Sequence, residues 1–352
     1  MSSISVHTGR SAVQSQPRML IWVGLAILLG MTVLISLGIG RYHVDFFTVV
    51  KICWSRVYSS IPTWTDTDER VVLLIRMPRI LMAVFAGAGL ALSGAGLQGV
   101  FRNPLVGPQI IGVSSGAAFG GVLAILIWES QILTILTAFV FGLIAVVIVF
   151  IMSRTNGRSP VLMLVLSGVV VSAFFTALIS LAKYVADPYD QLPAIVFWLM
   201  GSLALITYSK VVIAGIPILL AGAVIYMIRF RINILSLGDE EAESLGIKVG
   251  PTRWVLILCA TLITSAVVSV CGIIGWVGLV IPHVARMITG PDHRILFPAS
   301  ALIGSIFFLL VDDIARGATQ AEIPVGILTA IIGAPVFAVL LKRTHAGGWK
   351  ND

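Results

Sequence analysis

Long apolar runs separated by short polar segments fill most of this chain. They fall at about 19–40, 80–101, 107–128, 131–152, 161–182, 207–228, 254–275, 276–290, 295–311 and 324–341. A run of about 18 or more apolar residues crosses a hydrocarbon core roughly 30 Å thick as one helix. The pattern predicts an all-α polytopic membrane protein of about ten transmembrane helices, the eighth too short to cross without its flanks. An even number of crossings puts both ends on one side. The first run, Met19–Gly40, is longer than the core of a signal peptide and reads as a retained span. The expected organisation is a polar tail over 1–18, one transmembrane domain over 19–343, and a second tail over 344–352.

Composition agrees with the pattern. Hydrophobic residues make up 58% of the chain and charged ones 11%, against roughly 25% charged in a soluble domain. The net charge of +7 does not indicate a nucleic-acid partner, because the basic residues lie between the spans. With both ends in the cytoplasm, fourteen lysines and arginines fall inside and nine outside, the sign that orientation requires. Six of the nine (Arg41, Lys51, Arg56, Arg70, Arg76, Arg79) crowd into one outer stretch, 41–79. The three cysteines, Cys53, Cys259 and Cys271, form neither a disulfide framework nor a metal-binding spacing.

The middles of the spans hold almost no ionisable groups, His283 being the main exception. Its expected role is hydrogen-bonded structure, and no metal site is expected in this chain. Ionisable groups within spans usually mark ion or proton pathways, so their scarcity argues against an ion-coupled carrier. No G-x-x-x-x-G-K-[ST] phosphate loop occurs, so any ATP must be hydrolysed on another chain. In the second helix Gly87, Ala91, Ala95 and Gly99 recur every four residues, a stripe that lets helices in lipid approach closely.

Two polar constellations stand out. "GDEEAESLG", residues 238–246, carries four of the 16 acidic residues: Asp239, Glu240, Glu241 and Glu243. Ser236 is the expected N-cap, three of the acids fall in the first turn where the helix dipole favours them, and Gly246 is the expected left-handed C-cap. Gly238, Ala242 and Leu245 would share one small apolar face. The expected object is a short, rigid cytoplasmic helix, since a flexible loop has no use for caps at both ends. That argues against a purely structural or receptor-like membrane protein. The second constellation is "RMPR", 76–79. Pro78 suits a first helical turn, and Arg76 and Arg79, with Arg316 beside the buried-looking pair Asp312 and Asp313, could form an outward fork for carboxylates of a partner.

These stretches, with "RMPRILMAVFAGAGLALSGAGLQGVFRNPLVGPQIIGVSSGAAFG" (76–120), "FWLMGSL" (197–203), "LSLGDEEAESLGI" (235–247), "GIIGWVGLVIPHVARMITGPDHR" (272–294) and "EIPVGILTAIIGAPVFAVLLKR" (322–343), resemble the FecCD/BtuC-like permease subunits of bacterial ABC importers for iron–siderophore, haem and cobalamin. The resemblance implies the type II importer permease fold in the inner membrane, working as a homodimer or paired with a paralogue. It implies an ATP-binding cassette ATPase dimer below, which holds ATP and Mg, and a periplasmic or lipid-anchored solute-binding protein above. It makes 232–250 the coupling region, with Gly238, Asp239, Glu240, Glu241, Ala242, Leu245 and Gly246 docking in the ATPase. It carries the binding-protein contacts onto Arg76, Arg79 and Arg316. It places the cytoplasmic gate at Ser159, Pro160, Val161 and Leu162, which depart from the small hydroxylated pattern of the cobalamin relative. A ferric siderophore is the expected cargo, ahead of haem and cobalamin, and no cofactor is expected on this chain.

Overall fold

Apolar helices satisfy all their backbone hydrogen bonds internally, which is why a chain of this composition folds as helices in lipid. In the computed structural model, which describes residues 15–56, 58, 63–154 and 159–348, no strand occurs among the described residues. The tail 1–14 and the cations Arg10, Arg158 and Lys350 lie outside them. The elements run α1 (Ser15–Gly38), α2 (Phe46–Ser55), α3 (Asp66–Arg70), a π-helical turn (Val71–Arg76), α4 (Met77–Phe101), a 3-10 turn (Pro108–Ile111) and α5 (Val113–Trp128). Then come α6 (Gln131–Ser153), α7 (Val161–Val185), α8 (Gln191–Leu199), α9 (Tyr208–Met227), α10 (Arg229–Leu235) and α11 (Asp239–Ser244). The chain continues through α12 (Val249–Cys271), α13 (Val277–Thr289), α14 (His293–Gly317) and α15 (Val325–Gly348).

Each of the ten expected runs holds a helix, and among the described residues seven helices are long and apolar enough to cross a membrane. The second of these continues from α3 through the π-turn into α4, Asp66–Phe101. Pro78 has no N–H to give, and the ladder before it has already slipped to a wider turn, with the Met77 N–H bonding to Val72 O. α4 and α12 are the centre of the bundle: 78% of each hydropathic window is buried, against 17% for α1.

The small-residue stripe on α4 does what its spacing predicts. A Cβ on Gly87 would strike the carbonyl of Gly304 on α14, which also lies against Ala91; on another face Gly94, outside the stripe, meets α13, where a Cβ would strike the carbonyl of Gly278. α4 therefore touches both partners backbone to backbone, the contact that replaces the hydrophobic effect between helices in lipid.

Two elements stop short of a full crossing. At about 1.5 Å per residue, α5 spans roughly 24 Å and α13 roughly 20 Å. α12 ends at Cys271 near one face, residues 272–276 turn back, and α13 begins beside Leu90 and Gly94, halfway along α4. The segment after α4 likewise re-enters the bundle, where Pro108 packs against Gly278, before α5 begins. Non-helical backbone at this depth survives only where protein covers it or it lines a cavity.

Candidate functional site

At one end of the bundle α10 and α11 lie between α9 and α12. α11 has no side-chain N-cap; Gly238, at φ +156°, holds the cap position, where a Cβ would collide with the Glu241 carboxylate. The expected Ser236 cap is corrected: its hydroxyl donates to Asn233 O and closes α10 instead. The C-terminus is as expected. Gly246 takes φ +79°, its N–H bonds to Glu243 O at 2.9 Å, and the Ile247 N–H bonds to Ala242 O at 2.9 Å. Those two bonds are a Schellman motif, which fixes the direction of the chain leaving the helix.

The expected apolar face is split. Ala242 is fully buried, whereas Leu245 is 61% exposed. The acids divide too. Glu240, Glu241 and Glu243 are exposed, but Asp239 turns inward and accepts Arg253 Nη2 on both oxygens at 2.8 Å. Arg102, at the end of α4, stands 3.6 Å from the same carboxylate. Arg253 also donates to Ser159 O at 3.2 Å. This one buried guanidinium therefore joins α11 to the segment that opens α7. In that segment Pro160 takes the cap position, and Pro160 and Leu162 are exposed.

α10 is anchored separately. Asn233 donates to Asp292 at 2.6 Å and accepts the His293 N–H at 2.8 Å, tying α10 to the start of α14. Arg294 and Asn233 bond to the Asp292 carboxylate and hold it well below the usual carboxylate range. Sequence reasoning passed over Arg253, Asn233 and Asp292. Arg253 did carry a signal, as a lone cation one turn into an apolar helix.

The opposite end holds Arg76, Arg79 and Arg316 together, because the start of α4 and the end of α14 meet there. The expectation that they face outward is corrected: they are 3%, 5% and 4% exposed. Arg76 donates to the carbonyls of Leu37 at 2.5 Å, Gly38 at 3.1 Å, and Tyr42. Arg79 Nε lies 2.9 Å from both oxygens of Asp312, and its Nη1 reaches Glu322 at 2.8 Å. Arg316 pairs with Asp313 and donates to Ser36 O at 2.5 Å. The physical reason is local: a guanidinium at this depth meets carboxylates and frayed helix-end carbonyls before it meets water. The six outer cations are thereby partly accounted for, since Arg56 also pairs with Glu69. His283 departs from expectation as well: it is buried, and neither ring nitrogen has a partner among the described residues.

One end thus carries a capped peg wired into the bundle, and the other a buried ion cluster. The sequence pattern of the FecCD transport family matches residues 27–343. The chain belongs to that family. It is 44% identical over 334 residues to the molybdate import system permease protein MolB of Haemophilus influenzae, covering 95% of this chain and 98% of that one. It is also 44% identical over 275 residues to a probable iron chelatin transport system permease protein of Helicobacter pylori, covering 78% of this chain and 83% of that one. Among solved structures, an inward-facing conformation of a putative metal-chelate type ABC transporter superimposes with a TM-score of 0.83 at 44% identity, covering 93% of this chain and 99% of that one. That family is a family of transport proteins.

Proposed function

We propose that this chain is the permease subunit of an ATP-driven importer, and that ATP with Mg is bound and hydrolysed on a separate pair of ATP-binding cassette chains seated against α11. The observation that carries the reading is the peg itself. Its outward face, Glu240, Glu243 and Leu245, is bare, while its inner face is fastened through Asp239 to Arg253. A capped helix so fastened passes displacement to α12 and to the Ser159–Leu162 segment, which we take as the cytoplasmic gate. α11 and both termini then face the cytoplasm.

A second permease, identical or paralogous, completes the pathway, and a solute-binding protein docks at the arginine end. Docking through Arg76, Arg79 and Arg316 means that glutamates of the binding protein exchange with Asp312, Asp313 and Glu322. Glu322 is the most accessible of these three, so the exchange begins there.

The cargo in this reading is a small metal oxyanion of the molybdate class, supported by the relative matched along almost its whole length. A ferric siderophore is the second reading, supported by the iron chelatin relative.

Proteoliposomes holding this chain, its ATPase and its binding protein should take up labelled molybdate only with internal ATP. Uptake driven by an ion gradient through this chain alone would overturn the ATP-driven reading. Uptake of a ferric chelate in place of molybdate would select the second cargo.

A further inference from the structure

Between the first turns of α5 and α13 lies a cavity of about 230 Å³, bounded by Leu90, Gln109, Ser114, Thr264, Trp276 and Gly278. Both helices begin at the depth of Leu90, the midpoint of α4, so two positive helix ends face one chamber inside the bilayer. In α5 the hydrogen-bond ladder starts with the Gly116 N–H on Gly112 O, which leaves the N–H groups of Ser114 and Ser115 ahead of it. In α13 the first turn includes the Gly278 N–H, which has no backbone partner among the described residues.

Side chains add to these donors. Ser114 is only 6% exposed and lines the cavity, yet its hydroxyl has no partner among the described residues. The Gln109 amide is likewise unpartnered there. Gly275 makes room for it, since a Cβ on that residue would lie 2.9 Å from Gln109 Nε2. Trp276 is held at φ +69° where α12 breaks into α13, the kind of strained backbone that survives at functional positions. Gln109 and Trp276 also line a second cavity against α15 (Gly326, Ile331). No charged side chain borders the chamber.

We propose that this chamber is a binding site for a small tetrahedral oxyanion in transit. Unpaired N–H and O–H donors at two helix N-termini, without a carboxylate, suit an anion's oxygens. The chamber is smaller than the roughly 300–1,000 Å³ that drug-sized ligands occupy. It therefore admits an ion with a few waters and excludes a bulky chelate. Neutral donors hold such an ion loosely, as a carrier that must release it requires. The inference rests on the oxyanion reading of the cargo and goes beyond it by assigning the residues.

The test uses the permease–ATPase complex in nanodiscs, without binding protein, and radiolabelled molybdate as probe. We expect saturable binding that tungstate displaces. Gln109→Glu, on an exposed side chain that leaves the fold unburdened, should weaken it about tenfold or more by setting a carboxylate against the ion. Ser114→Ala should weaken it severalfold. If Ser114→Ala fails to assemble by size exclusion, Gln109→Glu carries the test alone. Molybdate uptake by the full importer with no saturable binding to the complex, or binding equal in wild type and Gln109→Glu, overturns the site while the cargo reading stands. Ferric-chelate uptake without molybdate uptake overturns the cargo reading, and the site with it.

Discussion

Arg253 closes on Asp239 with one nitrogen 2.8 Å from each carboxylate oxygen, and its other terminal nitrogen holds the carbonyl of Ser159. The guanidinium is 5% exposed, against 40% for the Asp239 side chain. The charge that fixes the peg is therefore buried in the bundle. A force applied to α11 reaches the start of α12 and the segment before α7 through the same residue.

Arg253→Lys keeps the charge but loses the planar fork, so it cannot serve both partners at once. Uptake per ATP hydrolysed should fall about threefold to thirtyfold, the range of coupling changes seen when a connecting residue is altered. ATPase activity of the assembled importer should persist. The ratio of labelled cargo imported to phosphate released is the measurement, and an unchanged ratio would place the coupling elsewhere.

Gly246 is the hinge point of the Schellman motif. Proline there cannot adopt φ +79° and also removes the N–H that bonds to Glu243 O. Gly246→Pro should expose the amides of 239–247 to rapid hydrogen exchange and uncouple transport. Gly246→Asn, which tolerates the left-handed region, should retain most of the protection. Equal exchange in the two variants would mean that the cap does not hold the helix.

The runs, the small-residue stripe and the C-cap were legible because each is a local pattern, set by residues within one or two turns. What the pattern could not reveal lies between distant positions. Arg79 and Asp312 are 233 residues apart, and nothing near "RMPR" announces that its cations are already paired. Ser236 looked like a cap because it stands before three acids; a short α10 ending at Leu235 used its hydroxyl first. The split of the peg's apolar face has the same origin: Ala242 and Leu245 are neighbours on a helical wheel, but only the bundle decides which one it covers. The half-length of α13 was legible from its run; that of α5 was not, because the run 107–128 spends its first residues on a re-entrant turn.

Gly94 tests the packing of α4. A Cβ there meets the backbone of Gly278, which no rotamer change can relieve. Gly94→Ala should lower the thermal midpoint of the solubilised protein, with a cost of about 1–3 kcal/mol or more from overpacking. Gly24→Ala in α1, where nothing lies within 4 Å, should be neutral or slightly stabilising. A matching drop in both would show that the midpoint reports something other than this contact.

The ion cluster at the other end separates two roles for Arg79. Removing one partner of a buried pair leaves the other charge stranded, at a cost of about 3–5 kcal/mol. Arg79→Met alone should therefore unfold the protein at lower temperature, and adding Asp312→Asn should recover part of the loss. That result is expected whether or not the arginine ever meets a binding protein. Glu322→Ala makes the distinction. It leaves the Arg79–Asp312 pair intact and frees Nη1, which now rests 2.8 Å from Glu322. If docking proceeds by exchange of carboxylates, the freed nitrogen should hold the binding protein more tightly at low salt, with the gain shrinking as salt screens it. Retention of the binding protein on immobilised permease–ATPase complex measures this directly. Unchanged retention at low salt would leave the three arginines as a structural clasp between α1, α4 and α14.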